Sequence, residues 1–129
     1  MFCETKDLSR EALKALGLAF NPFKAVVAPR PIGWITTVDR NGVVNLAPYS
    51  FFNAVSSDPP MVFYGANGTH AADGGEKDSL RNVRETGEVV CNLVTWELRH
   101  QMNVTATPAP HGVDEMQAVG IARLPSRMV

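Results

Sequence analysis

Ile32-Gly33-Trp34-Ile35-Thr36-Thr37-Val38, then Asp39-Arg40-Asn41-Gly42, then Val43-Val44-Asn45-Leu46-Ala47, is the stretch that decides the fold class. Its first seven residues are rich in β-branched and aromatic side chains. They fall into two alternating sets, Ile32/Trp34/Thr36/Val38 and Ile35/Thr37, which is the two-residue period of a strand. Asp39 to Gly42 is turn chemistry, with Gly42 able to take positive φ, so residues 43–47 return as the second strand of a hairpin. A second strand pair is predicted at 51–55 and 61–66, across Ser56-Ser57-Asp58-Pro59-Pro60. A fifth strand is predicted at 89–94, the most strand-like run in the chain. Five short strands with brief helices predict a mainly β domain, a barrel or sandwich rather than a wound parallel sheet.

Around this frame, residues 9–16 read as a helix capped by Ser9 and ended by Gly17. Asn21-Pro22-Phe23 follows, then Ala28-Pro29-Arg30-Pro31, where two prolines exclude a helix and hold the backbone extended. Arg30, fixed between them, is within reach of a phosphate, a nicotinamide dinucleotide or a neighbouring subunit, with a plain surface salt bridge as the equal alternative. Downstream, the polar, glycine-rich loop 67–76 leads into Lys77-Asp78-Ser79 and a helix from about Ser79, with Leu80 and Val83 on one face and Gly87 as its stop. Short helices are predicted at 96–102 and 113–119, flanking a proline-rich connector at 105–112.

The bulk numbers narrow the function classes. A chain of 129 residues predicts one domain over 1–129. Its 45% hydrophobic and 19% charged residues are those of an ordinary globular protein. A net charge of -1 provides no general attraction for nucleic acid or anionic lipid, so a bound anion needs a local site. No apolar run approaches the ~20 residues of a membrane span. Glu4, Lys6, Asp7 and Arg10 interrupt the apolar core a signal peptide requires, which predicts a cytoplasmic protein. Cys3 and Cys91 lack CxxC spacing and are expected as free thiols, Cys91 as inert packing within a strand. His70, His100 and His111 lack metal-ligand spacing, and no metal is expected. The glycines form neither GxGxxG nor a P-loop, and there is no GxSxG. Read from residues alone, the chain is a β-rich domain without an evident acid or base.

The segments Val27-Ala28-Pro29-Arg30-Pro31-Ile32-Gly33-Trp34-Ile35-Thr36-Thr37, Asn45-Leu46-Ala47-Pro48-Tyr49-Ser50-Phe51-Phe52-Asn53, Asp58-Pro59-Pro60 and Lys77-Asp78-Ser79 together resemble the flavin reductase-like family of FMN-binding split-barrel proteins. They occur in that family's order and spacing, and the match runs from about Asn21 onward. The resemblance implies an antiparallel, Greek-key split barrel with short peripheral helices that binds FMN. It implies an NAD(P)H-dependent flavin oxidoreductase, with NADH or NADPH as electron donor and an electron-accepting partner protein within its scope. Members generally form homodimers with the flavin near the subunit interface, so a homodimer is expected.

By the same resemblance, Ala47, Pro48, Tyr49, Ser50 and Phe51 line the ring and ribityl chain, and Thr36 and Thr37 add hydroxyls. Pro48 is expected to make the backbone irregular there and leave main-chain groups free for the ring edge. Lys77 and Ser79 meet the phosphate at a helix N-terminus, where unbonded N–H groups and the dipole favour an anion. Asp78 would repel it, and is expected to cap the helix or pair with a cation. Trp34, Phe51 and Phe52 also read as core packing and Thr36 and Thr37 as ordinary strand formers, alternatives that stay open for all but Trp34, which is expected in the core. No catalytic side chain is expected, because hydride transfer from nicotinamide to flavin is the cofactors' own chemistry. Two alternatives remain: a non-catalytic FMN-binding or electron-carrier module, and a truncated remnant with impaired flavin binding. The latter arises because the resemblance normally continues past Val129, so the barrel is expected to lack part of its wall and expose strand edges.

Overall fold

The computed structural model describes residues 9–127, which gather into two compact units that divide after Arg30. In the first, Ser9 Oγ accepts the Ala12 N–H at 3.1 Å and caps α1 (Arg10–Ala15) as its sequence predicts. Gly17, at φ 72°, ends that turn. A second helix, α2 (Pro22–Val26), which the sequence reading does not include, starts at the Asn-Pro pair: Asn21 Oδ1 accepts the Phe23 N–H at 2.9 Å, and Pro22 occupies the first turn, where a missing N–H costs nothing. Arg30 Nη1 donates to the Lys24 and Val27 carbonyls at 2.6 and 2.8 Å, so the guanidinium satisfies the acceptors at the end of α2.

The second unit carries all five strands of the described residues. β1 (Gly33–Val38) is central, pairing antiparallel with β2 (Val44–Tyr49) from Gly33↔Tyr49 to Val38↔Val44 and with β5 (Val90–Asn92) from Trp34↔Asn92 to Thr36↔Val90. β3 (Phe52–Ser57) and β4 (Pro60–Tyr64) form a separate two-stranded ribbon with an irregularity between Ala54 and Ser56. The sheets do not close on each other. Gly33 is where β1 passes the Phe52 ring: a Cβ there would lie 2.5 Å from Phe52 Cδ2.

Three helices line this unit: α3 (Asp78–Thr86), α4 (Arg99–Thr105) and α5 (Glu115–Ala118). All three pack on β2, and α3 also packs on β1. Trp34, Ile35, Val44, Leu46 and Tyr49 form the core, which confirms the core role expected of Trp34. Its indole Nε1 donates to Thr105 Oγ1 at 2.9 Å. Asn92 Nδ2 donates to the Trp34 carbonyl at 2.9 Å and to Thr36 Oγ1 at 2.8 Å, fastening β5 to β1.

Four sequence expectations are corrected here. β2 does not break at Pro48 but runs through it to Tyr49. It is an edge strand, and the Leu46 N–H, two residues earlier on the same side, points away from β1 to Glu115 Oε2 at 2.9 Å. Pro48 therefore lacks a donor only on the open edge, where the ladder does not need one. The face of α3 that is buried is Ser79 and Asn82, not Leu80 and Val83, because the sheet offers it hydroxyls. Asn82 Nδ2 donates to Thr37 Oγ1 at 3.2 Å, and Ser79 Oγ is hydrogen-bonded to Tyr49 Oη. β5 is only three residues long, since it finds partners only at 34–36 of β1, and Leu93 beyond it is 79% exposed. Cys91 is exposed on that edge rather than packed. Cys3 lies outside the described residues.

Candidate functional site

A cavity of about 210 Å³ opens where β2 ends against the start of α3. Asn45, Ala47, Pro48 and Tyr49 form one side, Lys77, Asp78 and Ser79 another. His70 and its neighbours in the 67–76 loop, and residues 105–109 at the end of α4 and just beyond it, close the remaining walls, with Glu115 alongside. The two segments singled out by sequence, 30 residues apart, thus face a common space. What joins them is the hydroxyl pair of Tyr49 and Ser79, both buried.

Each wall has a local cause. Lys77 is the N-cap of α3 with extended backbone (φ -64°, ψ 146°) and makes no side-chain cap bond. The Leu80 N–H donates to the Lys77 carbonyl at 3.0 Å, and the two N–H groups before it, of Asp78 and Ser79, have no acceptor one turn earlier, a consequence of helix geometry that favours an anion at this end. Asp78 does not cap the helix; it pairs with cations, the Arg81 guanidinium and His111 Nδ1, the latter at 2.6 Å. Of the two roles expected for it, pairing is the one observed.

Thr36, Thr37, Ser50 and Phe51 stand outside the cavity lining. The two threonines are on β1 behind β2, their hydroxyls accepting from Asn92 and Asn82. Ser50 and Phe51 follow directly after β2, and the Phe51 carbonyl accepts the Gly65 N–H at 2.8 Å.

Several lining residues are absent from the sequence expectation. Asn45 is buried beside the cavity, and its Nδ2 has no partner among the described residues. A polar residue between Val44 and Leu46 at a core register of a strand was the available signal. Glu115 is half-buried; burial pushes its carboxyl above the ordinary range, against the opposing pull of the Leu46 N–H. Burial likewise raises the Tyr49 hydroxyl, which stays protonated and can donate.

His70, Asp78 and His111 each bring one ligating atom within 4.8 Å of the others, although no spacing in the sequence suggests it. The two imidazoles are stacked face to face, with centroids 3.7 Å apart and planes at 19°. Their in-plane lone pairs therefore run side by side instead of converging on one ion, and the Arg81 guanidinium already occupies Asp78. The cluster is a charge network.

A three-stranded sheet and a separate two-stranded ribbon that do not close on each other are consistent with a split barrel. The fold matches that of a Shewanella frigidimarina protein assigned as a flavin reductase with a split barrel domain, at a TM-score of 0.70, 21% identity, and coverage of 93% of this chain and 59% of that one. Nitrilotriacetate monooxygenase component B from Bacillus cereus superposes at a TM-score of 0.80, 26% identical, over 100% of this chain and 59% of its own. Residues 27–128 match the flavin reductase like domain, and the chain belongs to that family. An uncharacterized protein of Deinococcus radiodurans is 43% identical over 109 residues, 81% of this chain and 47% of that protein. The chain spans about half the length of the curated relatives it matches. No described helix is long and apolar enough to cross a membrane.

Proposed function

We propose that the chain binds FMN in the cavity between β2 and α3 and serves an NAD(P)H-dependent flavin oxidoreductase of the cytoplasm. The observation that carries this reading is the common cavity of residues 47–49 and 77–79. The donors there suit a phosphate and a hydroxylated chain: the Lys77 ammonium, the first N–H groups of α3, and the Ser79 and Tyr49 hydroxyls. Asp78 is the one carboxylate at the helix start, and Arg81 and His111 neutralise it.

A cavity of about 210 Å³ is below the ~300 Å³ at which drug-sized ligands begin to be enclosed, so it accounts for the phosphate and ribityl end of FMN. The ring then lies toward Ser50 and Phe51 with Thr36 and Thr37 behind the strand, and a second copy of the protein covers it in a homodimer. Bound FMN would supply hydride acceptance from a nicotinamide. The chain's residues bind, orient and shield: Pro48 leaves the β2 edge without an N–H that would need a partner, and Tyr49 fixes the end of that strand to α3.

The test is the visible absorbance of purified protein, before and after added FMN, and its bleaching by NADH or NADPH. Protein that stays colourless in excess FMN would sink the reading. Flavin binding without nicotinamide turnover would reduce it to an FMN-binding or electron-carrier module.

A further inference from the structure

We infer that His111 is a positioning residue: its imidazolium clasps two walls of the cavity together, so that affinity for the flavin phosphate falls as pH rises. This rests on the FMN reading above and adds a regulation of the same site.

The geometry is specific. His111 lies two residues beyond the cavity wall formed by 105–109, and both its ring nitrogens face carboxylates from the other side. Nδ1 is 2.6 Å from Asp78 Oδ1, at the first residue of α3, and Nε2 is 3.1 Å from Asp73 Oδ2, in the loop that carries His70. A neutral imidazole has one N–H and can serve only one of these acceptors; the imidazolium serves both. The ring also stacks on His70, whose Nδ1 accepts the Ala72 N–H at 3.2 Å and whose Nε2 faces Asp78 Oδ2 at 3.8 Å. One side chain thus joins the connector, the loop and the helix start.

The charged groups facing His111 are Asp78 and Arg81 from α3 and Asp73 and His70 from the loop. Arg81, with Nη1 3.2 Å from His111 Nδ1, opposes protonation; the two carboxylates favour it. The balance holds the imidazole above its ordinary 6.5, with Asp78 the largest cause and Asp73 the next. A raised folded value fixes the sign. The clasp is complete below pH 6.5 and is lost as pH rises through the folded value. Losing it removes one of two cations that keep Asp78 from repelling a phosphate, and it unties the two walls.

The experiment measures FMN dissociation constants for wild type and His111→Gln between pH 6 and 9, with Tm of the flavin-free proteins over the same range. The ratio of the two constants cancels FMN's own titration. The expected result is wild type binding about two- to fivefold tighter near pH 6.5, with the ratio approaching one by pH 9. The flavin-free Tm difference should shrink along the same curve. As a second measurement needing no variant, FMN should raise the titration midpoint of the His111 Cε1–H resonance, by reciprocity of linked equilibria. A pH-independent ratio with flavin bound, or an unmoved His111 midpoint, overturns the proposal. Wild type that binds no flavin at any pH overturns the FMN reading instead, whatever the Tm curves do.

Discussion

Replacing Thr105 with Val should destabilise the protein more than replacing it with Ser, although Val is the more hydrophobic of the two. Thr105 and Trp34 are 5% and 3% exposed, and the threonine hydroxyl accepts the indole N–H at 2.9 Å while donating to the Met102 carbonyl at 2.9 Å. Val fills the same volume, so packing is conserved, but the buried indole N–H loses its acceptor. Leaving a buried donor unsatisfied costs about 1–3 kcal/mol. Ser keeps the hydroxyl and removes one methyl, worth about 0.8 kcal/mol. The expected order is Thr, then Ser, then Val, with the Val variant about 2 kcal/mol below wild type. Urea unfolding followed by tryptophan fluorescence reads this directly. Trp34 passes from core to water while Trp96, 75% exposed, contributes little change. With a urea slope of about 2 kcal/mol per M, the Val midpoint should fall by about 1 M. A Val variant as stable as the Ser variant, or within ~0.5 kcal/mol of wild type, would refute the buried bond.

Further outcomes follow from the same structure. Gly33→Ala sets a Cβ 2.5 Å from Phe52 Cδ2 and 2.7 Å from its Cγ, too near the ring's root for a small adjustment, and should cost about 1–3 kcal/mol in urea unfolding. Glu115, raised above 4.5 mainly by burial, contributes stability that is full below its unfolded value and lost as pH rises through its folded one. Glu115→Gln should therefore gain on wild type in Tm from pH 4 to pH 7, and a constant difference would contradict the buried carboxyl. Lys77→Ala should weaken FMN binding about tenfold, as expected for a charge-assisted bond to phosphate, with Tm of the flavin-free protein little changed; fluorescence titration of FMN checks it.

All five strands were legible within a few residues, because runs of β-branched and aromatic residues bounded by turn residues are properties of neighbours along the chain. The α1 cap at Ser9 and the αL stop at Gly87 were legible for the same local reason. The errors have a common origin in what a segment packs against. The ladder through Pro48 depends on β2 being an edge, and the length of β5 depends on how much of β1 remains to pair. The buried side of α3 is polar only because Thr37 and Tyr49 wait for it on the sheet. Trp96 was assigned to a helix that in fact begins at Arg99. Of the candidate site, Ala47, Pro48, Tyr49, Lys77, Asp78 and Ser79 follow from motif resemblance, Asn45 stands in the same motif without a role of its own, and nothing in the sequence singles out His70 or Glu115 for the site.

The sequence by itself determined the strands, the turns between them and the family, since propensity, period and motif are properties of neighbours along the chain. Only the tertiary structure decided which of those elements share a cavity, that Asp78 is neutralised by Arg81 and His111, and that two histidines 41 positions apart stack ring on ring. Apart from the Asp78–Arg81 pair, one turn apart on α3, those contacts join segments tens of residues apart, and no local pattern records a distance that the chain acquires only by folding.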